Sequence, residues 1–540
     1  MKRLFWLLVA VLLLTGCAET ITPKPTSIPA TQPAKIPQDP RPMGPPMNIQ
    51  TQPAQIPEIT VTPLVGKELF SDRDYDDSYD ADGCRILLQG DTASCTDSSV
   101  VIRPGSITIT KKGTYILTGT LDAGMVIVDT DTKAKVQLVL EDAAIHNQTS
   151  AAIYVAQADK VFLTLPEGTE NVLSNGGSFI PVDDSNIDAV IFSRDDITIN
   201  GSGSLRIQSP VGHGIVSKDE VTITGGVFSI DAASHGITGQ DCVSIDGAVL
   251  DIRCGKDAIQ SQNDTDAEKG FAYLANTVLT CEAADNGIRT TGILQIDSGT
   301  LNLDCIGDAL HSEKDLIVRR GDITITTQDD GFHADNLLAF FGGTVRILDS
   351  YEGLEAKTVL VAGGDIALSA RDDGVNAAGG NDRSGFDGHR GGDRFREGDD
   401  SCVLLTGGAL AVNAAGDGID SNGGLYLAGC HVTVEGPIDD MNGPLDYSGD
   451  SAITGGSILA TGSAQMAQSL YPQDQGVIFL TFAQQPGGTN AVISDSNGNI
   501  LMTACPEKQF SSMVASCPEI HSGKTYRVSI GNTEIEIQAQ

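Results

Sequence analysis

Short apolar runs, alternating with polar residues and broken by glycine, fill most of this chain. Val221 and Ile223 are followed by Phe228 and Ile230, and Leu316 and Val318 by Ile323 and Ile325. Alternation with a period of two predicts strands of a few residues separated by turns. The runs themselves recur. Asp308-Ala309-Leu310, Asp330-Gly331-Phe332, Glu352-Gly353-Leu354 and Asp373-Gly374-Val375 open successive units at steps of 22, 22 and 21 residues. Upstream the same frame reads His213-Gly214-Ile215, His235-Gly236-Ile237, Asp257-Ala258-Ile259 and Asn286-Gly287-Ile288. Downstream it reads Asp417-Gly418-Ile419 and a weakened Asp440-Met441-Asn442. A fixed period of this length is the mark of a solenoid. The glycine pairs Gly225-Gly226, Gly342-Gly343, Gly363-Gly364 and Gly407-Gly408 fall at one place in the unit, where positive φ is expected. No unit has room for a helix. The pattern predicts an all-β chain: a right-handed parallel β-helix with three short strands per turn, and Leu310, Phe332, Leu354 and Val375 stacked inward.

The pattern also divides the chain. Residues 1–17 combine Lys2-Arg3, an apolar run from Leu4 to Leu14 and Leu14-Thr15-Gly16-Cys17. That is a secretion signal rather than a spanning helix, and it resembles a bacterial lipobox with Cys17 as the lipidated residue. Residues 18–65 are rich in Pro, Thr and Gln and predict an extended, disordered tether. Residues 66–464 hold the β-helix. Its acidic leader, Asp72 to Asp82, is expected to be solvated, and its opening coils are irregular. Two of its steps are long, one carrying Asn263-Asp264-Thr265-Asp266 and one a Gly/Asp/Arg-rich insert over 381–400. Residues 465–540 lose the period and read as a small β domain capping an open end. The expected product is a monomeric cell-surface lipoprotein held to the membrane by its lipid alone.

Charge and cysteine content narrow the partners. A net charge of −37 excludes nucleic acid as a direct partner. Apart from Cys17, ten cysteines remain, outside the cytoplasm, so disulfides are allowed. Cys84 with Cys95 and Cys505 with Cys517 are the local pairs. Cys254 and Cys305 share a place in their coils and are expected either bridged or stacked as thiols.

In a β-helix, equivalent residues of adjacent coils lie about 4.8 Å apart. Two carboxylates at that spacing repel by roughly 0.9 kcal/mol in water and about 3.5 kcal/mol at an effective dielectric of 20. Asp257, Asp308, Asp330, Glu352, Asp373 and Asp417 form such a row, doubled by Asp285, Asp329, Asp372 and Asp439 one residue earlier. Ca²⁺ suits irregular clusters of carboxylate and carbonyl oxygen. The metal candidates are Asp257, Asp285, Asp308, Asp329, Asp330, Glu352, Asp372, Asp373, Asp417 and Asp420, with the loop oxygens of Asn263, Asp264 and Asp266. The alternative is that Asp-Gly serves only as a turn, which leaves Glu352 unexplained. Three residues past the acid stand His311, His333, Glu355, Asn376 and Asp420, a polar row in which paired histidines could hold a transition metal.

Several stretches resemble the bacterial carbohydrate-binding domain-containing surface proteins. They include Gly113-Thr114-Tyr115, Val136-Gln137-Leu138-Val139-Leu140, Ile197-Thr198-Ile199-Asn200-Gly201, Gly443-Pro444-Leu445-Asp446-Tyr447 and Gly523-Lys524-Thr525-Tyr526. The resemblance implies a right-handed β-helix related in fold to pectate lyases, Ca²⁺ at acidic turns matching Asp257, Asp308, Asp330, Asp373 and Asp417, and binding of acidic plant-type polysaccharide. His213, His235 and Asn286 depart from that pattern. Three functions compete: a non-catalytic module binding a uronate polymer through calcium; a calcium-dependent lyase using Lys256, Lys269, Arg289, Lys314 or Lys357 as base; and an adhesin in which calcium serves stability. The single tryptophan is Trp6, in the signal, so no Trp platform exists for a neutral glucan.

Overall fold

The computed structural model describes residues 50, 52–378 and 400–540. The signal, Cys17, most of the linker and most of the 381–400 insert lie outside them. Among the described residues helix is confined to two single turns, Gly66–Leu69 and Asp72–Tyr75, neither long enough to cross a membrane. The remaining regular structure is strand, and most of the strands stack as a parallel β-helix. Each pairs in parallel with the strand one coil away, so Ile259 meets Ile288, Leu310 meets Phe332, and Leu354 meets Val375.

This register creates the core. One inward column runs Ile107, Val126, Ile153, Ile191, Ile215, Ile237, Ile259, Ile288, Leu310, Phe332, Leu354, Val375 and Ile419, every member fully buried. A one-residue slip would turn the whole column outward, so the periodic apolar pattern fixes the stacking. At the glycine pairs the second residue takes the left-handed conformation, with φ of 92° at Gly343 and 100° at Gly364. At Gly363 a Cβ would lie 2.5 Å from the carbonyl of Phe341, so the coils could not approach there with a side chain.

Both ends are closed by antiparallel strands. Cys84–Gly90 pairs with Thr92–Ser94, and Val100–Arg103 with Ser106–Ile109. At the other end Ser451–Gly462 pairs with Phe510–Ser516, which pairs with Ile478–Gln485. A separate four-stranded sheet of Ala491–Ser494, Ile500–Ala504, Thr525–Ile530 and Thr533–Gln538 follows, with its own core around Phe510, Met513, Tyr526 and Val528. The cap thus covers the strand edge that an open coil would present.

The described part of the Pro-rich stretch does not hang free. It lies along one outer face, running against the order of the coils. Ser451 N–H donates to Gln50 Oε1 (2.8 Å). Ala54, Ile56, Ile59 and Val61 cover an apolar patch of Leu337, Ala339, Leu360, Leu404 and Tyr426. Gln295 brackets Leu64, accepting its N–H (2.7 Å) and donating to its carbonyl (3.1 Å). Tyr75 Oη donates to Asp246 (2.8 Å), and Gln137 Nε2 to the carbonyl of Ser78 (3.1 Å). The expected tether and the expected solvated leader are, over 52–79, a strap with real contacts. Asp74 is buried at its centre, where Lys160 Nζ lies 2.9 Å and Thr198 Oγ1 2.6 Å from Oδ1, and Ser71 donates twice to Oδ2.

Of the cysteine pairs, Cys84 and Cys95 have sulfurs 3.1 Å apart. Cys505 is exposed while Cys517 is buried. Cys305 lies inward beside Cys281, and Cys254 donates to the carbonyl of Lys256.

Two outcomes are expected. Phe332→Ala, which empties the column between Leu310 and Leu354, should lower the unfolding free energy by about 3–5 kcal/mol in denaturant titration. The strap is the second. Burial pushes the Asp74 carboxyl up, but hydrogen bonds from Thr198, Ser71 and Lys160 outweigh it and hold it below the usual carboxylate range. A depressed carboxylate stabilises above its unfolded pKa and loses that contribution as pH falls through the folded value. The strap should therefore stay docked at neutral pH and loosen in acid below the ordinary Asp range. At pH 8, Asp74→Ala should make Lys67 and Arg73 open to trypsin while the β-helix resists; unchanged protection would show that Asp74 does not hold the strap.

Candidate functional site

The acid frame of the repeat becomes one continuous polar row at a turn between strands. Its members share an acceptor role. Eight of them, His213, His235, Asp257, Asn286, Asp308, Asp330, Asp373 and Asp417, take the backbone N–H of the equivalent residue in the next coil. His235 N–H donates to His213 Nδ1 (3.3 Å), Asp257 N–H to His235 Nδ1 (3.2 Å), Asn286 N–H to Asp257 Oδ1 (3.0 Å) and Asp308 N–H to Asn286 Oδ1 (2.9 Å). Asp330 N–H donates to Asp308 Oδ1 (3.1 Å) and Glu352 N–H to Asp330 Oδ1 (3.0 Å). Asp417 N–H donates to Asp373 Oδ1, and Gly443 N–H to Asp417 Oδ1. Buried backbone N–H groups need a partner, and the side chain one coil back supplies it. This role, and not the turn propensity of Asp-Gly, is what Asp, Asn and His have in common here. Burial, with the neighbouring His235, Lys256 and Lys218, holds His213 down to about 4, so its ring is neutral and can accept.

The second oxygen of each carboxylate meets the polar column three residues on. Gln260 Nε2 donates to Asp257 Oδ2 (2.8 Å), His311 Nδ1 lies 2.7 Å from Asp308 Oδ2, His333 Nδ1 3.6 Å from Asp330 Oδ2, and Asn376 Nδ2 donates to Glu352 Oε2 (3.0 Å). The like-charge repulsion expected of a bare row is thus met at Asp257 and Asp308 by N–H groups, amides and imidazoles, whereas Asp330 is raised well above the carboxylate range by burial and by the charges of Glu355, Asp308 and Asp329, despite His333. Burial pushes Asp308 up, but His311 and His333 hold it below the carboxylate range.

Further along, the compensation changes. Burial raises the Asp373 carboxyl well above its usual range, and the charges acting on it are those of Asp417, Asp420 and Asp372. Burial, with Asp446, Asp372 and Asp439, pushes Asp417 up to about 7 despite the Gly443 N–H. Asp446, in register with Asp420, is raised by burial too. The donors here are all oxygen. Two of the carboxylates converge on Gly416, where a Cβ would stand 2.3 Å from Asp373 Oδ1 and 2.5 Å from Asp372 Oδ1. A side chain at 416 would clash with both oxygens, so glycine is what lets the two carboxylates lie this close together, and a set of donors made of oxygen alone suits Ca²⁺.

The remaining candidates fall elsewhere. Asp285 sits against Gly307 beside Asn286, its carboxyl raised by burial. Asp329 approaches Asp308 and Asp330 closely. The Asn263–Asp266 loop spends its oxygens on itself: Asn263 Oδ1 accepts the N–H groups of Thr265 and Asp266, and Asp266 Oδ1 that of Glu268. Asp264 is exposed there, whereas Asp257 is buried in the row. Glu355 and Asp446, omitted from the expected ligands, belong to the site. Their signal was register: Glu355 stands three residues past Glu352, and Asp446 three past Gly443, so the last unit opens at Gly443-Pro444-Leu445 and not at the expected Asp440-Met441-Asn442.

Of the lysines and arginines put forward as a base, Lys269 pairs with Asp241, which raises its pKa. Arg289 pairs with Glu313 (3.0 Å), and Lys314 donates to the carbonyl of Ala267 (2.8 Å). Burial does lower Lys508, to about 8, but it donates to the carbonyl of Ala414 and the charge acting on it is Glu435.

Fold and row together define a parallel β-helix protein with an inward apolar column and a polar, acid-rich turn. The chain belongs to the carbohydrate-binding domain-containing protein family. A model of that family matches residues 104–353. A carbohydrate-binding domain-containing protein of Acetivibrio thermocellus is 34% identical over 240 residues, covering 44% of this chain and 84% of the relative. A solved structure of the polysaccharide lyase-like protein from C. thermocellum, as its gadolinium derivative, aligns at 26% identity over 53% of this chain and 96% of that one, with a TM-score of 0.36.

The acceptor row carries a stability test. Asn286→Leu leaves the Asp308 N–H without an acceptor and should cost about 1–3 kcal/mol in denaturant unfolding. Asn302→Leu, on an exposed outward position, should cost under about 0.5 kcal/mol. Equal small effects would remove the row's structural role.

Proposed function

We propose that this protein is a non-catalytic module that binds an acidic, uronate-containing polysaccharide through Ca²⁺ held at the acidic end of its turn row. The observation that carries the reading is Asp373: a buried carboxylate whose acting charges are those of Asp417, Asp420 and Asp372, with Asp372 Oδ1 and Asp373 Oδ1 brought together against Gly416. Leaving such a group charged and unmatched is costly. A divalent ion offsets that cost and converts a surface that repels polyanions into one that binds them. Family membership supports carbohydrate as the ligand class. Net charge makes direct attraction to a uronate polymer impossible and an ion bridge necessary. The ion would lie on Asp372, Asp373 and Asp417, with Asp420 and Asp446 adjacent. When bound it supplies positive charge and coordination positions for a sugar carboxylate. The chain's own residues fix the carboxylates: the N–H groups of Asp417 and Gly443 orient one oxygen of each. The absence of Trp after Trp6 argues against a flat aromatic platform for neutral glucan. With Cys17 lipidated, the row would work outside the cell, on a lipoprotein anchored through its N-terminus.

A lyase needs a base that is unprotonated near the ion. Lys269 is held protonated by Asp241, and Arg289 is engaged with Glu313. No rise in ultraviolet absorbance from an unsaturated uronate is therefore expected on polygalacturonate.

The test is retention on polygalacturonate and on cellulose, each with calcium and with chelator. Retention on polygalacturonate with calcium only is expected. Asp373→Asn/Asp417→Asn, which keeps both N–H acceptors but removes both charges, should abolish it. Equal retention under chelator, or in the double variant, would falsify the ion bridge.

A further inference from the structure

A different stretch of the same two columns has a different donor chemistry. Where the calcium reading rests on oxygen alone, the coils of Asp308, Asp330 and Glu352 bring imidazole nitrogen into the row. His311 and His333 stack with ring centroids 4.6 Å apart and planes 7° from parallel. Asp330, His333 and Glu355 each place a ligand atom within 4.8 Å of the other two, and so do Asp308, His311 and His333.

We propose that His333, Asp330 and Glu355 form a mixed nitrogen–oxygen site for a first-row transition dication of the zinc class, with Asp335 orienting His333 and the His311–Asp308 pair packed beneath. Glu355 is the independent observation. It is 1% exposed, its Oε2 closes on His333 Nδ1, and its Oε1, buried on the other side, accepts no hydrogen bond. Buried carboxylate oxygens are seldom left so, and a metal bond would use one of them. The second observation is on the far side of the ring. His333 Nε2 lies 3.3 Å from Asp335 Oδ1. Metal-ligating histidines generally donate their other N–H to a carboxylate, which fixes the tautomer and aims the lone pair. With Nε2–H given to Asp335, an ion that displaced the Nδ1 proton would find the Nδ1 lone pair directed at Asp330 Oδ2, 3.6 Å away, and at Glu355 Oε2. Three ligand atoms at such separations can surround an ion with bonds of about 2.0–2.2 Å.

The parallel stack decides the stoichiometry. A ligating nitrogen holds its metal in the plane of its own ring, and two parallel rings do not share such a point. One ion therefore takes His333, while His311, 2.7 Å from Asp308 Oδ2, buttresses the ring. Imidazole with carboxylate selects zinc-class ions over Ca²⁺, which takes oxygen. Three protein ligands leave at least one coordination position for water or a ligand hydroxyl.

The probe is Co²⁺ alone, titrated into the full chain in the presence of excess Ca²⁺ and followed by visible absorption. One equivalent should bind with a nitrogen-ligand d–d spectrum, and Zn²⁺ should displace it. His333→Gln and, separately, Glu355→Gln should each weaken Co²⁺ binding more than tenfold, since outer-shell partners alone are worth about 10–100-fold. Asp335→Asn should weaken it less. Both ligand variants are checked for an unchanged thermal transition without metal, and Glu355→Gln keeps the size of the side chain. Asp373→Asn/Asp417→Asn should bind Co²⁺ as the native chain does, so failure of the calcium reading would leave this result intact. Absence of a cobalt spectrum, displacement by Ca²⁺, or equal affinity in His333→Gln and Glu355→Gln would overturn the site and leave His333 an imidazolium paired with Glu355 and Asp330.

Discussion

Each coil of this protein depends on a side chain of the coil before it. The turn where the repeat begins exposes one backbone N–H per coil to the interior of a polar column, and the equivalent residue one coil back accepts it. Once that acceptor is in place, the neighbouring inward position is fixed and the apolar column from Ile107 to Ile419 falls into register. The row is therefore structural first. It is also a line of polar groups at constant spacing, and what each coil adds at the third position onward decides its charge. Gln260 makes it neutral, His311 and His333 make it nitrogen-bearing, and Asp420 makes it acidic.

One architectural device thus generates chemically distinct places along a single edge. The Asp257 coil is satisfied within itself. The Asp330 coil mixes imidazole with carboxylate. The Asp373 and Asp417 coils gather oxygen and little else. On another face the strap from Gln50 to Ser78 covers outward side chains, apolar at the Leu337–Tyr426 end and polar around Thr198 and Gln137. The strap rests on the outer face of a sheet, a surface that the coils leave unpaired.

Much of this was legible in the sequence for one reason: a 22-residue period repeats its physics. Leu310, Phe332, Leu354 and Val375 could be assigned inward because their place in the frame never varies. The two closing regions could be recognised by the loss of that frame. The reason for the acid row was not legible, because Asp, Asn and His resemble one another only as hydrogen-bond acceptors. His213, His235 and Asn286 read as breaks in an acidic pattern, whereas they continue an acceptor pattern. The strap was missed because Ala54, Ile56, Ile59 and Val61 are spread among Pro and Gln, with no period to mark a buried face. Asp74 was hidden in a run of acids, of which burial singled out one. In the Asn263–Asp266 loop, composition did not show that Asn263 Oδ1 and Asp266 Oδ1 accept the loop's own N–H groups.

The most direct measurement is a crystal structure grown with calcium and a short oligogalacturonate, with the ion placed by anomalous scattering. The account predicts a Ca²⁺ on Asp372, Asp373 and Asp417 with a sugar carboxylate completing its shell. A sugar ordered on another face, or no ion at these carboxylates, would contradict it.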